Sequence, residues 1–207
     1  MFITELEAFK TARLAPIIAV QTGDAVDTTK LLQIALANEI NVSELAALWM
    51  PTTPEIDVKL AFARQAGDEA GHFMLVADRL AKLGFDASAF TAQTTPMFDF
   101  LRALPSTIER IAASLFTLES IAYGVNENFM ALCAERGDTE TVRIYREYIQ
   151  PDEQAHQVLG QQLLAKYATT PAQQTLARDT VGKLLDIAGT ARAAAATKLG
   201  TSCFPGC

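Results

Sequence analysis

The chain holds two histidines, and each stands three residues after a glutamate: Glu69 and His72 in "AGDEAGHF", Glu153 and His156 in "QPDEQAHQV". On an α-helix, residues three apart are separated by about 60° around the axis and about 4.5 Å along it, so each pair projects from one face. Such a pair either decorates a solvated helix or offers an imidazole and a carboxylate to a metal. Two more glutamates sit where a carboxylate is costly. Glu39 in "IALANEINV" shares its face with Leu32, Ala35, Leu36 and Val42, and Glu119 in "AASLFTLESIAYG" with Ala112, Leu115, Phe116 and Ala122. A carboxylate on a core stripe is tolerated when it is paired or coordinated. Four carboxylates and two imidazoles are the ligand set of a carboxylate-bridged dinuclear site. Its members are Glu39, Glu69, His72, Glu119, Glu153 and His156. The cofactor implied is two iron ions, with manganese or a mixed pair equally suited to the donors.

Four helical segments must position these groups. Apolar residues at helical spacing predict a helix from about Thr28 to Met50, followed by "MPTTPE", where Thr53 can cap and Pro54 can open the next helix. That helix is expected to reach about Leu83 and stop at Gly84. Residues 85–104 show no clean period and read as a long crossover. Ser106 and Glu109 form the signature of a capping box, opening a third helix to about Arg136. After the Gly137-Asp138 turn a fourth runs from Thr139 to about Ala168, and Thr170-Pro171 opens a fifth to about Leu199. Two hairpins joined by one long crossover are the ferritin-like arrangement. The expected fold is therefore all-α: a four-helix bundle over about 28–168 within one domain, 1–200, with an additional C-terminal helix. Residues 201–207, "TSCFPGC", read as a flexible tail in which Cys203 and Cys207 close a small disulfide, shuttle electrons as a mobile thiol pair, or stay idle.

Composition narrows the partners. Half of the 207 residues are apolar, and the formal charge is −7 with no basic stripe, so nucleic acid is not an expected partner. No apolar run approaches the roughly 20 residues that span a bilayer. The stretch "LAPIIAV" (Leu14 to Val20) is short, broken by Pro16, and lacks a secretory cleavage site, which makes a cytoplasmic protein the expectation. Three cysteines do not make a disulfide framework, and Cys133 in a helical pattern reads as a small buried hydrophobe.

With these motifs on four helices, the chain over about 28–168 resembles the ferritin-like di-iron carboxylate superfamily. Its "DEAGH" and "DEQAH" are similar to the acid-Glu-x-Arg-His pattern of di-iron monooxygenases and acyl desaturases, with Gly71 and Ala155 where arginine would stand. Asp68 and Asp152 are then candidates to accept the second N–H of a metal-bound histidine, or are simply solvated. The resemblance implies an O₂-activating oxygenase or oxidase acting on a small apolar substrate, with a separate electron donor and a homodimer as further expectations. Phe62, Phe73, Leu115, Phe116 and Tyr123 either line the substrate pocket or pack as core. Tyr123, one turn past Glu119, and Tyr148, five residues before Glu153, are each either a redox-active phenol or a tyrosine that hydrogen-bonds in the core. Glu127 is a candidate proton relay or a structural carboxylate. Ferroxidase or rubrerythrin-like peroxide and iron handling is the alternative, although no Cys-x-x-Cys pair of a rubredoxin module is present. A metal-stabilised, non-enzymatic binding subunit is the third reading. Two local features also call for a reason: Gly67 and Gly71 inside a helix suggest close approach of a neighbouring helix or of a ligand beside the metals, and Pro151 suggests a kink or π-bulge near Glu153, unless the packing there is incidentally loose.

Overall fold

A computed structural model describes residues 1–19, 27–88 and 90–206; Val20 and Cys207, both named above, lie outside the described residues. Among those described, all regular structure is helical. In chain order the elements are α1 (Phe2–Ile18), α2 (Thr28–Trp49), α3 (Ile56–Lys82), α4 (Pro96–Arg102) and α5 (Thr107–Ile111). A π-helical segment, π1 (Ala112–Leu118), runs on from α5 into α6 (Glu119–Glu135). In the same way α7 (Thr139–Ile144) passes through π2 (Tyr145–Ile149) into α8 (Gln150–Tyr167), and α9 (Pro171–Leu199) follows. None of these helices is long and apolar enough to cross a membrane.

The expected boundaries hold where a cap was legible. Ser106 and Glu109 form the full capping box, and Gly84 takes φ +86° just past α3, a conformation that costs glycine little. Thr53 is a correction. Its hydroxyl donates back to the Trp49 carbonyl at 2.8 Å, so it closes the end of α2, and α3 starts later at Ile56 with Glu55 at its N-cap. Two helices had no counterpart in the sequence reading: α1, which carries Pro16 in its last turn, and α4, opened by Thr95 and Pro96 within the long connection. The π2 segment directly before Pro151 matches the expected bulge, whereas π1 directly before Glu119 was unforeseen.

The apolar core divides into two clusters. One gathers Leu45, Trp49, Phe62, Phe98, Phe116 and Leu163; the other gathers Leu32, Leu36, Val76, Leu80, Phe129 and Tyr145. Along α2 the change of cluster falls between Leu36 and Val42, and along α8 and π2 between Ile149 and Leu163. Glu39 and the Glu153–His156 pair lie in those intervals, so a polar layer separates two apolar ones.

The close approach expected at Gly67 and Gly71 is absent, since nothing lies within 4 Å of where either Cβ would be. It occurs at Gly160 on α8. A Cβ there would stand 2.7 Å from the Leu115 carbonyl carbon and the Phe116 nitrogen, which are backbone atoms of π1. Gly160→Ala must therefore push α8 away from π1. We expect it to cost about 1–3 kcal/mol of stability, read as a lower thermal midpoint; an unchanged midpoint would show that the two helices slide apart freely.

The segment after α9 also departs from expectation. Residues 201–206 are seated against the body, with Thr201, Cys203 and Phe204 buried. The Arg192 guanidinium lies 4.0 Å over the Phe204 ring and donates to the carbonyls of Ser202 (3.1 Å), Phe204 (3.2 Å) and Gly206 (3.4 Å). The Gly206 N–H donates to Asn126 Oδ1 at 3.0 Å. One aromatic anchor and a guanidinium that satisfies three carbonyls outweigh a Gly/Pro-rich composition.

Candidate metal centre

The six residues singled out by spacing are delivered to the polar layer by four helices: Glu39 by α2, Glu69 and His72 by α3, Glu119 by the first turn of α6, Glu153 and His156 by α8. All are between 1% and 4% exposed. They form two overlapping clusters, Glu39-Glu69-His72-Glu153 and Glu69-Glu119-Glu153-His156, and within each the donor atoms lie within 4.8 Å of one another. These buried clusters have the donor types and spacing to hold a metal ion.

Glu69 and Glu153 belong to both clusters. Glu69 also spans them with its two oxygens: Oε2 is 3.4 Å from His72 Nδ1 and Oε1 is 3.7 Å from His156 Nδ1. His72 Nδ1 lies 3.5 Å from Glu39 Oε2, and His156 Nδ1 lies 3.5 Å from Glu119 Oε1. The His156 separations are too long for good hydrogen bonds, and His156 Nδ1 and Glu153 Oε2 are buried atoms with no partner. Orphaned lone pairs at that depth are expensive unless a cation takes them up. The donor set therefore fits a metal on this observation alone.

Asp68 and Asp152 lie against the histidines, but crosswise. His156 Nε2 is 3.0 Å from Asp68 Oδ2, and His72 Nε2 is 3.3 Å from Asp152 Oδ2. Each aspartate thus braces the imidazole of the other helix, tying α3 to α8. An N–H donated from Nε2 leaves the Nδ1 lone pair aimed at the carboxylates, the tautomer a ligand needs. Arg64 Nε in turn donates to Asp68 Oδ2 at 3.2 Å.

Charge at this depth shifts every titration. Burial pushes the Glu69 carboxyl well up, helped by the Glu119 charge, and burial followed by Glu119 does the same to Glu153. Burial also pushes Glu119 up, yet the His156 charge and the Gln65 hydrogen bond hold it below the usual carboxylate range. Burial pushes both imidazoles down, but the facing carboxylates win: Glu39 and Glu69 lift His72 to about 11, and Glu119, Glu69 and Asp68 lift His156 to about 9.

Three residues that the spacing argument passed over belong to the site's surroundings. Gln65, fully buried one turn before Glu69, donates to the Glu119 carboxylate and to Ser114 Oγ at 2.8 Å. Gln157 donates to the Glu119 carbonyl at 3.2 Å. Tyr145 is fully buried with an unpartnered hydroxyl, edge-on to Phe129, and burial with the Glu39, Cys133 and Glu153 charges pushes its phenol well up. Gln65 and Tyr145 could have been found as polar groups four and eight residues before Glu69 and Glu153, on the same helix faces. Of the phenols named from sequence, Tyr123 is half-buried and belongs to neither cluster, while Tyr148 is exposed beside Arg143. Glu127 is exposed and accepts from Gln150 Nε2 at 2.6 Å. Phe62, Leu115 and Phe116 are core residues, and Phe73 is half-buried. Cys133 is buried, and burial pushes its thiol up to about 12.

The family model described as "Protein of unknown function (DUF455)" matches residues 19–182. No curated protein and no solved structure matches the chain.

Proposed function

The chain belongs to the DUF455 family, and from its buried cluster we propose that it is a ferritin-like di-iron or di-manganese protein that uses O₂ to oxidise a small apolar substrate. One observation carries this reading: two four-residue clusters share Glu69 and Glu153, so the six residues would hold two cations, with these two glutamates placed to serve both. Charge supports it as well. Four ionised glutamates and two neutral imidazoles balance two divalent cations, which is how a buried site avoids a net charge. The helix order is consistent with it: the α2–α3 and α5–α8 hairpins are joined by residues 83–106, a connection long enough to cross the end of a bundle.

When bound, such a metal pair supplies electrons to O₂. The rest falls to this chain's own groups. Glu39, Glu69 and His72 would hold one ion and Glu119, Glu153 and His156 the other, with Asp152 and Asp68 fixing the two imidazole tautomers. In the metal-free site burial, followed by the Glu119 charge, raises the proton affinity of Glu153, so a proton leaves it when the cations are taken up. Phe62, Leu115 and Phe116 are apolar core against which water is excluded. A surface hollow of about 410 Å³ is lined by His156, Arg64, Ala155 and Leu159, and offers a small molecule a way to the ligand layer.

The test is uptake of Fe(II) by metal-free protein, first without and then with air. Tight binding of about two equivalents per chain, with O₂ consumption that stops there unless a substrate and a reductant are added, is the expected result. Continued turnover with growth of a ferric mineral would instead assign iron storage. No uptake at all would sink the metal reading.

A further inference from the structure

Lys10 is a buried cation with a task to explain. It sits on α1 at 2% exposure, and its ammonium has three acceptors for three N–H groups: the Phe116 carbonyl (3.1 Å), the Ser120 hydroxyl (2.7 Å) and Glu7 Oε1 (3.0 Å). The nitrogen also lies 4.0 Å from the centre of the Phe116 ring. Removing an ammonium from water is costly, and burial indeed lowers its proton affinity. Two of the three acceptors belong to one place, the end of π1 and the start of α6.

That place sets the ligand. A π turn is a rare register that holds one residue more than α, and regaining the α register would turn Glu119 by about 100° relative to α5. Side chains hold the π register here. The Thr117 hydroxyl donates to the Ala112 carbonyl at 2.7 Å, and Ser120 Oγ lies 2.8 Å from the Phe116 carbonyl that Lys10 also engages. The chain of contacts goes on towards the second histidine. Ser120 Oγ is 3.2 Å from Gln157 Oε1, and Gln157, next to His156, donates to the Glu119 carbonyl.

We propose that Lys10 is a positioning residue for the metal centre: by pinning π1 it fixes Glu119 and the neighbouring His156, so that α1 completes that half of the site. This rests on the two-metal reading above. It also extends the site beyond the family match, because α1 ends at Ile18 and the match begins at residue 19. The half built on Glu39 and His72 comes from the α2–α3 hairpin and contains none of these contacts.

The decisive variant is Lys10→Met, which keeps the length of the side chain and removes its three donors. Anaerobic Fe(II) titration is expected to show one equivalent bound as in the unaltered protein and the second weakened at least tenfold. Leu6→Ala, which removes a buried apolar side chain of α1 without removing any bond to π1, is expected to keep both equivalents. Hydrogen exchange of the metal-free proteins gives a second readout. Amides of residues 112–121 should lose at least tenfold protection in Lys10→Met and not in Leu6→Ala. Two equivalents bound at full affinity by Lys10→Met would overturn the proposal, as would equal losses in Leu6→Ala. Should the unaltered protein take up no metal, the functional reading fails separately, and the exchange pattern still decides whether Lys10 holds π1.

Discussion

Glu69→Gln and Glu153→Gln will each strip the protein of both metal equivalents, whereas His72→Ala or His156→Ala will first lose one. The difference follows from membership. Glu69 and Glu153 stand in both clusters, while Glu39 and His72 or Glu119 and His156 stand in only one. The same two glutamine variants should make the metal-free protein more stable at alkaline pH, by roughly 1–4 kcal/mol. Without a cation, four carboxylates crowd a layer that burial has already made hostile to charge. Glu69 and Glu153 respond by holding their protons well above the usual range. A glutamine has the shape of the protonated acid and stays neutral as pH rises, so it keeps that charge out of the layer under alkaline conditions without opening a cavity. Metal analysis together with urea denaturation in chelator checks both halves of the claim. Variants that keep two metals, or that are destabilised when metal-free, would show that these carboxylates serve the fold and not an ion.

How much of this was legible depends on the range of the interaction. The six clustered residues could be read from the chain because Glu-x-x-His and a carboxylate on an apolar stripe are properties of one helix, fixed by its 3.6-residue repeat. Capping at Ser106 and the break near Pro151 were local in the same sense. What escaped depends on how helices dock. That Asp68 braces His156 and Asp152 braces His72 is set by the packing of α3 on α8, and no spacing within either motif distinguishes it from pairing within the motif. The close contact at Gly160 is likewise a property of two backbones meeting, so the glycines beside the motif, Gly67 and Gly71, drew the inference instead. Lys10 was hidden for a further reason. A lysine on an amphipathic helix reads as solvated, and it takes the Phe116 carbonyl of π1 and the Ser120 hydroxyl at the start of α6, both more than a hundred residues away in sequence, beside Glu7, to make its burial tolerable. The end of α9 misled composition in the opposite way, because three carbonyls found one guanidinium.

Metal affinity will climb steeply with pH, by more than tenfold for each unit between pH 6 and 8. The metal-free site carries protons that a cation must displace. Burial pushes both imidazoles down, but the facing carboxylates hold His72 near 11 and His156 near 9, above the ordinary 6.5, so both are charged at neutral pH. Burial, followed by the Glu119 charge, keeps Glu69 and Glu153 protonated well above 4.5. Each group binds its proton more tightly folded than unfolded, so each makes the metal-free fold lose stability as pH rises. For the histidines that stability is complete below the unfolded value of 6.5 and disappears as pH passes through about 9 and about 11. Metal binding has the opposite sign: each displaced proton adds about a factor of ten in affinity per pH unit. Alkaline conditions therefore weaken the empty protein while strengthening its hold on the ion, and the thermal shift on loading should grow with pH. Competition against a chelator at pH 6, 7 and 8, with calorimetry in two buffers of different ionisation heat to count released protons, measures both effects. An affinity independent of pH would mean that the imidazoles are neutral before metal arrives. Glu39, Glu69 and Glu119 would then no longer be the charges that face them.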